Sequence, residues 1–276
     1  MNHLSKVLAL LLVALTVPLS AQWFQYPTQG VPRLKDGKPN LTAPTPRTAD
    51  RKPDLTGIWL HNNPLPCPAF MRDDNGECTE KIGLPPEAVD FGASLPGGLP
   101  YQPWAAELVK KRTADLAKDD PHSRCLPPNF PRAYAFPHMQ KYLQSPSVIV
   151  ILDEFNASYR QIFTDGRPVL KDPQPTWNGY STGKWLGDTL VVESTGFRDD
   201  LWLDMHGSPL TNAAKITERF RRPDFGHLEI EITVNDPKAY TKPWTVTLRQ
   251  QIVVDTDLID EICLEGEQSV QHMVGK

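Results

Sequence analysis

Beyond Ala21 the chain has no apolar run long enough to cross a bilayer as a helix, which needs about 20 such residues. It has no block of Lys or Arg, and its formal net charge is −4. That balance argues against nucleic acid and anionic membranes as partners. Cysteine is scarce at four residues, and no C-x-x-C pair supplies the close ligand spacing of a zinc site. The seven histidines are scattered, with neither H-x-H nor H-E-x-x-H spacing, and there is no P-loop or G-x-G-x-x-G string. No metal and no cofactor are expected.

What is present begins with an export signal. Lys6 is a short basic stretch, Val7 to Val17 an apolar one, and Pro18-Leu19-Ser20-Ala21 ends in a small residue suited to cleavage. Residues 1–21 are assigned to a signal peptide and the mature protein to the periplasm or the medium. An oxidising compartment gives the even cysteine count a meaning, although four cysteines allow three connectivities. Cys67 and Cys78 flank a turn-rich stretch and are expected to close a small loop. Cys125 and Cys263 are expected to tie the first half of the chain to its last strand.

Proline divides the remainder. Of 28 prolines, 21 fall in residues 1–146 and seven in 147–276, so the two halves have different textures. Residues 22–53 are Pro-rich and polar without a period of 2 or 3.6, as in an extended arm. Asp54–Leu60 is a compact strand signal. A Pro-punctuated insertion at about 61–146 follows, with one helix from Pro103 to about Lys118. In it Ala105, Leu108, Val109, Arg112 and Leu116 recur at helical spacing. Residues 121–146 are too apolar for a linker and are expected to pack on a sheet. Residues 54–276 read as one β domain.

The second half is a succession of strands. Thr176–Gly196 reads as a hairpin turning at Gly187-Asp188, its Val- and Thr-rich arm alternating between two faces. Further strands are expected at Val148–Glu154, Tyr159–Thr164, Lys215–Arg221, His227–Val234, Thr245–Val254 and Ile259–Leu264, separated by turn residues. Short antiparallel strands at this spacing imply a barrel or a sandwich.

Gly57-Ile58-Trp59 resembles the G-x-W signature that opens the lipocalin barrel. That resemblance implies a Trp closing the barrel floor against an Arg of the last strand, a part that falls to Arg249. The long excursion from His61 to Pro146 departs from the lipocalin pattern. The segments RQIFTDGR (160–167), GDTLVVE (187–193), ERFRR (218–222) and KPWTV (242–246) resemble a widespread, uncharacterised family of exported bacterial β proteins. This second resemblance implies an exported β protein and transfers no catalytic residue.

Three groups of residues carry possible chemistry. His206 lies in a loop two residues after Asp204, which would orient its imidazole as a general base, with Glu193 or Glu218 as a second carboxyl. The competing reading has Asp204 accepting backbone N–H bonds of its own loop. Arg160, if inward, requires a carboxylate from Glu193, Glu218 or an acidic ligand, because a lone buried charge is too costly. Among the abundant aromatics, Tyr180, Trp185 and Trp202 are candidates to line an apolar pocket with Arg160, the alternative being that they are core and rim.

The favoured expectation is therefore an exported protein that binds a small apolar or amphipathic molecule in a partly apolar barrel pocket. A cofactor-free isomerase, lyase or cyclase using the same pocket is the alternative. A third reading is an envelope interaction module that uses the Pro-rich arm.

Overall fold

The computed structural model of the chain describes residues 26–62 and 85–266. Eleven strands arise from its alternating segments. They are β1 (Gly57–His61), β2 (Gln140–Gln144), β3 (Val148–Asp153), β4 (Ser158–Phe163), β5 (Tyr180–Leu186), β6 (Thr189–Thr195), β7 (Leu201–Trp202), β8 (Pro209–Leu210), β9 (Lys215–Arg221), β10 (His227–Asn235) and β11 (Trp244–Val253). Nine of them close a barrel in the order β1-β11-β10-β9-β6-β5-β4-β3-β2, and β7 pairs only with β8. The protein is thus mainly β and a barrel, as expected, and the sandwich alternative falls away.

Every neighbouring pair in the barrel is antiparallel except β4 and β5, which run parallel and share only Ile162↔Ser181 and Phe163↔Thr182. Closure leaves no free edge, because β1 pairs with β11 on one side and β2 on the other. That explains why Ile259–Leu264 is not the strand its pattern suggested. Glu261 makes one bridge to Phe155, and Cys263–Gly266 forms a helical turn.

Alternation sends Leu228, Ile230, Ile232 and Val234 of β10, and Val246 and Leu248 of β11, into one apolar core. The lumen is further filled from one end by the Pro-punctuated segment. Phe130, Ala133, Tyr134 and Ala135 are fully buried, and Tyr134 meets the inward-facing Phe220 edge to face at 6.1 Å. The segment was expected to lie on the sheet; it enters the barrel as a plug. Burying four such side chains stabilises the fold by several kcal/mol at about 25 cal/mol per Å².

Trp59 is buried at the other end, and an Arg does lie over its ring, at 4.8 Å. It is Arg222, just past β9, and not Arg249. Arg249 follows the inward Leu248 and precedes the inward Gln250, so the period of two turns it outward, where it lies 3.6 Å from Glu229. Arg222 donates to the carbonyls of Asp54 and Phe225, and burial holds its pKa down at about 10.

The Pro-rich arm is docked along its length. Arg33 pairs with Asp255 at 2.5 Å and Arg47 with Asp188 at 2.6 Å, and the Phe225 and Gly226 amides donate to Ala43 and Leu41. The Cys125–Cys263 disulfide is formed and clips the end of the described chain to the insertion. Cys67 and Cys78, like the signal segment, lie outside the described residues.

Candidate functional site

The one long helix among the described residues, α1 (Pro103–Ala114), begins on a proline, where a missing N–H costs nothing, and buries only Ala105. It ends four residues before its periodicity does, because Leu116 and Ala117 both adopt left-handed backbone. Asp120 then accepts from the amide of His122 and caps a 3₁₀ turn at Pro121–Arg124. The result is a cleft of about 550 Å³ between the end of the helix, this turn and the segments carrying Trp177 and Arg198–Trp202.

Two indoles line it, each faced by a guanidinium. Arg112 lies 4.1 Å from the ring of Trp202, and Arg198 lies 5.2 Å from that of Trp177. The Trp177 ring and the Trp202 backbone are both pinned. Trp177 donates from its indole N–H to the Pro127 carbonyl at 2.6 Å, and the Trp202 carbonyl accepts from Asn129 at 2.8 Å. Arg112 donates to the Gly207 carbonyl at 2.6 Å, and a side chain at Gly207 would come within 2.5 Å of Arg112 and 3.0 Å of Trp202. The left-handed φ of +82° and this close approach both demand glycine there.

The cleft is cationic in balance. Its three carboxylates each have a cation: Asp119 with Arg124, Asp200 with Arg198, and Asp115 with Lys118. Lys111 and Arg112 have no carboxylate within salt-bridge distance among the described residues. Burial lowers the pKa of the Arg112 guanidinium, so its charge sits partly desolvated against the Trp202 face. A half-buried cation over an aromatic wall is a place where an anion gains both a charge-assisted hydrogen bond and apolar contact.

Of the predicted ligand residues, Trp202 is in this cleft and the others are not. Arg160 points into the barrel, and the carboxylate that an inward position requires is supplied by Glu218. Its donors are all taken: Glu218 and Tyr134 at 2.8 and 2.5 Å, Ser181 at 3.0 Å and Ser194 at 2.9 Å. It is a lumen strut with nothing left for a ligand. Glu193 faces outward, because its neighbours Val192 and Ser194 point in, so it does not meet Arg160. Trp185 packs against the core at the barrel mouth. Tyr180 lies on the outer face beside Phe163.

Asp204 takes the competing role, accepting hydrogen bonds of its own loop and of the Phe91 amide. Asp204 is fully buried, and its oxygens accept from the amides of Phe91 and Ser208 at 3.0 and 2.9 Å and from the Ser208 hydroxyl. The loop carrying it docks through the amides of Met205 and His206 on the carbonyls of Ala88 and Val89. Asp204 thus shapes the loop that presents the Gly207 carbonyl to Arg112.

Sequence reasoning missed Arg112, Trp177 and Arg198 as partners, since nothing in their spacing links them. It also missed that Gly179–Gly183 spells G-x-S-x-G. A nucleophile elbow needs a strand-to-helix turn with an exposed hydroxyl. Here Ser181 is in mid-strand, 2 % exposed, bonded to Arg160 and Ser194. Neither protein-family models nor curated proteins yield a match to this chain.

Proposed function

We propose that this chain is an exported binding protein for a small amphipathic anion, held in the cleft between α1 and the Arg198–Trp202 segment. The observation that carries the reading is the pair of Arg-covered indoles, Trp177 and Trp202, in one cation-rich cleft of about 550 Å³. That volume is in the ordinary range for small-molecule sites. The lumen that a lipocalin-like binder would use is instead occupied by Tyr134 and its neighbours. Export is supported by the signal-like first residues and by the Cys125–Cys263 disulfide, which suits an oxidising compartment.

Titration of the oxidised chain with 2-naphthoate, followed by tryptophan fluorescence, tests the proposal. Saturable quenching is expected, weakened about 10- to 100-fold in Arg112→Gln, the loss for one charge-assisted contact. The uncharged 2-naphthalenemethanol should bind as weakly to the wild type. Absence of saturation with millimolar 2-naphthoate, or equal binding of the two compounds, would refute it.

A further inference from the structure

The parallel seam of the barrel has a second consequence on its outer face. β4 and β5 part after two ladder pairs, and the gap between them is spanned by the Asn178 side chain. Its amide donates to the Tyr159 carbonyl at 3.0 Å, and its oxygen accepts from the Phe130 amide at 3.2 Å. Above this floor lies a groove of about 580 Å³ that shares only Trp177 with the cationic cleft.

Strand alternation sets its chemistry. Arg160 and Ile162 point inward, so Tyr159, Gln161 and Phe163 stand outward along one wall, and Tyr180 faces Phe163 at 5.5 Å. Tyr159 is 61 % exposed and stacks on no other ring among the described residues. The one charged residue in the lining is Arg160, whose donors are spent inside the barrel. Arg167, stacked on Phe163 at 3.9 Å, is held by Asp165 at 2.6 Å. No charge is left over, so a charged ligand would find no counter-ion here.

We infer that this groove binds a neutral oligosaccharide. A pyranose ring presents a face of weakly positive C–H groups and a rim of hydroxyls. The negative π-faces of Tyr159, Trp177 and Tyr180 match the first. The exposed amide of Gln161, with donors and an acceptor, matches the second. A plain hydrocarbon leaves the amide unused, and an anion belongs in the neighbouring cleft. The groove shares Trp177 with the anion site and uses none of that site's cations.

The test is an amide NMR titration of the full, disulfide-bonded chain with maltohexaose and with cellohexaose. Saturable shifts centred on Tyr159, Gln161 and Tyr180 are expected for at least one sugar, at a Kd of about 1 mM or tighter. Tyr159→Ala, an exposed change whose folding is checked by its thermal midpoint, is expected to weaken binding about tenfold, and Gln161→Ala about as much. Glu231→Gln, on the outer face of β10 away from both clefts, should leave sugar binding unchanged. The inference is overturned by no saturable shift with either sugar, by shifts centred elsewhere, or by binding that survives Tyr159→Ala intact.

Discussion

Asp153 ends a chain of buried polar side chains inside the barrel. The Tyr142 hydroxyl donates to Gln250, Gln250 to Gln140, and Gln140 to Asp153, whose other oxygen accepts from the Phe155 amide. Among the described residues no cation bonds to this chain. Burial therefore lifts the carboxyl from 3.8 to about 7, with the bonds from Gln140 and Phe155 holding it back in part. Between those two values the folded protein keeps a proton that the unfolded chain releases. The native state binds more protons, so stability falls as pH rises through this window and levels off above about 7. At about 1.36 kcal/mol per pH unit, the whole effect is about 4 kcal/mol.

Asp153→Asn removes the titration. An amide cannot accept from both Gln140 and Phe155, so the variant carries a pH-independent penalty of about 1–2 kcal/mol for one mispaired donor, to which the lost titration adds. The quantity to measure is the difference in urea unfolding free energy, variant minus wild type, from pH 4 to 8. Other titrating groups cancel in that difference. It should start negative near pH 4 and climb by about 4 kcal/mol by pH 8, so that the variant overtakes the wild type near about pH 5. A difference that stays level across the range would show that Asp153 is not a buried, uncompensated carboxyl, and would refute the argument.

Two further expectations follow from the same geometry. Glu218→Gln leaves Arg160 buried without its counter-charge and should cost about 3–5 kcal/mol by denaturant unfolding, whereas Glu193→Gln on the outer face should change stability by less than about 0.5 kcal/mol. Gly207→Ala forces an L side chain into φ +82° and into Arg112, so a loss of at least about 1 kcal/mol is expected, along with a changed Trp202 emission as the guanidinium is displaced.

Local pattern determined a good deal of this protein. Alternation in segments such as HLEIEITV, with turn residues between them, specified seven of the barrel strands, because burying one face of a strand leaves a period of two in the sequence. The cost of a lone buried charge implied that Arg160, if inward, needs a carboxylate. β2 was illegible because it turns Gln140 and Tyr142 inward and so lacks an apolar stripe. The Cys125–Cys263 pairing was expected from their places in the chain and is formed.

Tertiary structure alone decided the rest. Which of Glu193 and Glu218 meets Arg160 depends on the register of β6 and β9, and a one-residue slip would exchange inside for outside. The parallel meeting of β4 and β5 depends on closure of the whole barrel, and with it the groove beside Tyr159. Arg112, Trp177, Arg198 and Trp202 come from three separate stretches of chain, brought together only when the insertion plugs the lumen and lays its helix alongside. Chemistry that depends on such distant juxtapositions leaves no period and no motif, since each residue is locally an ordinary surface or core side chain.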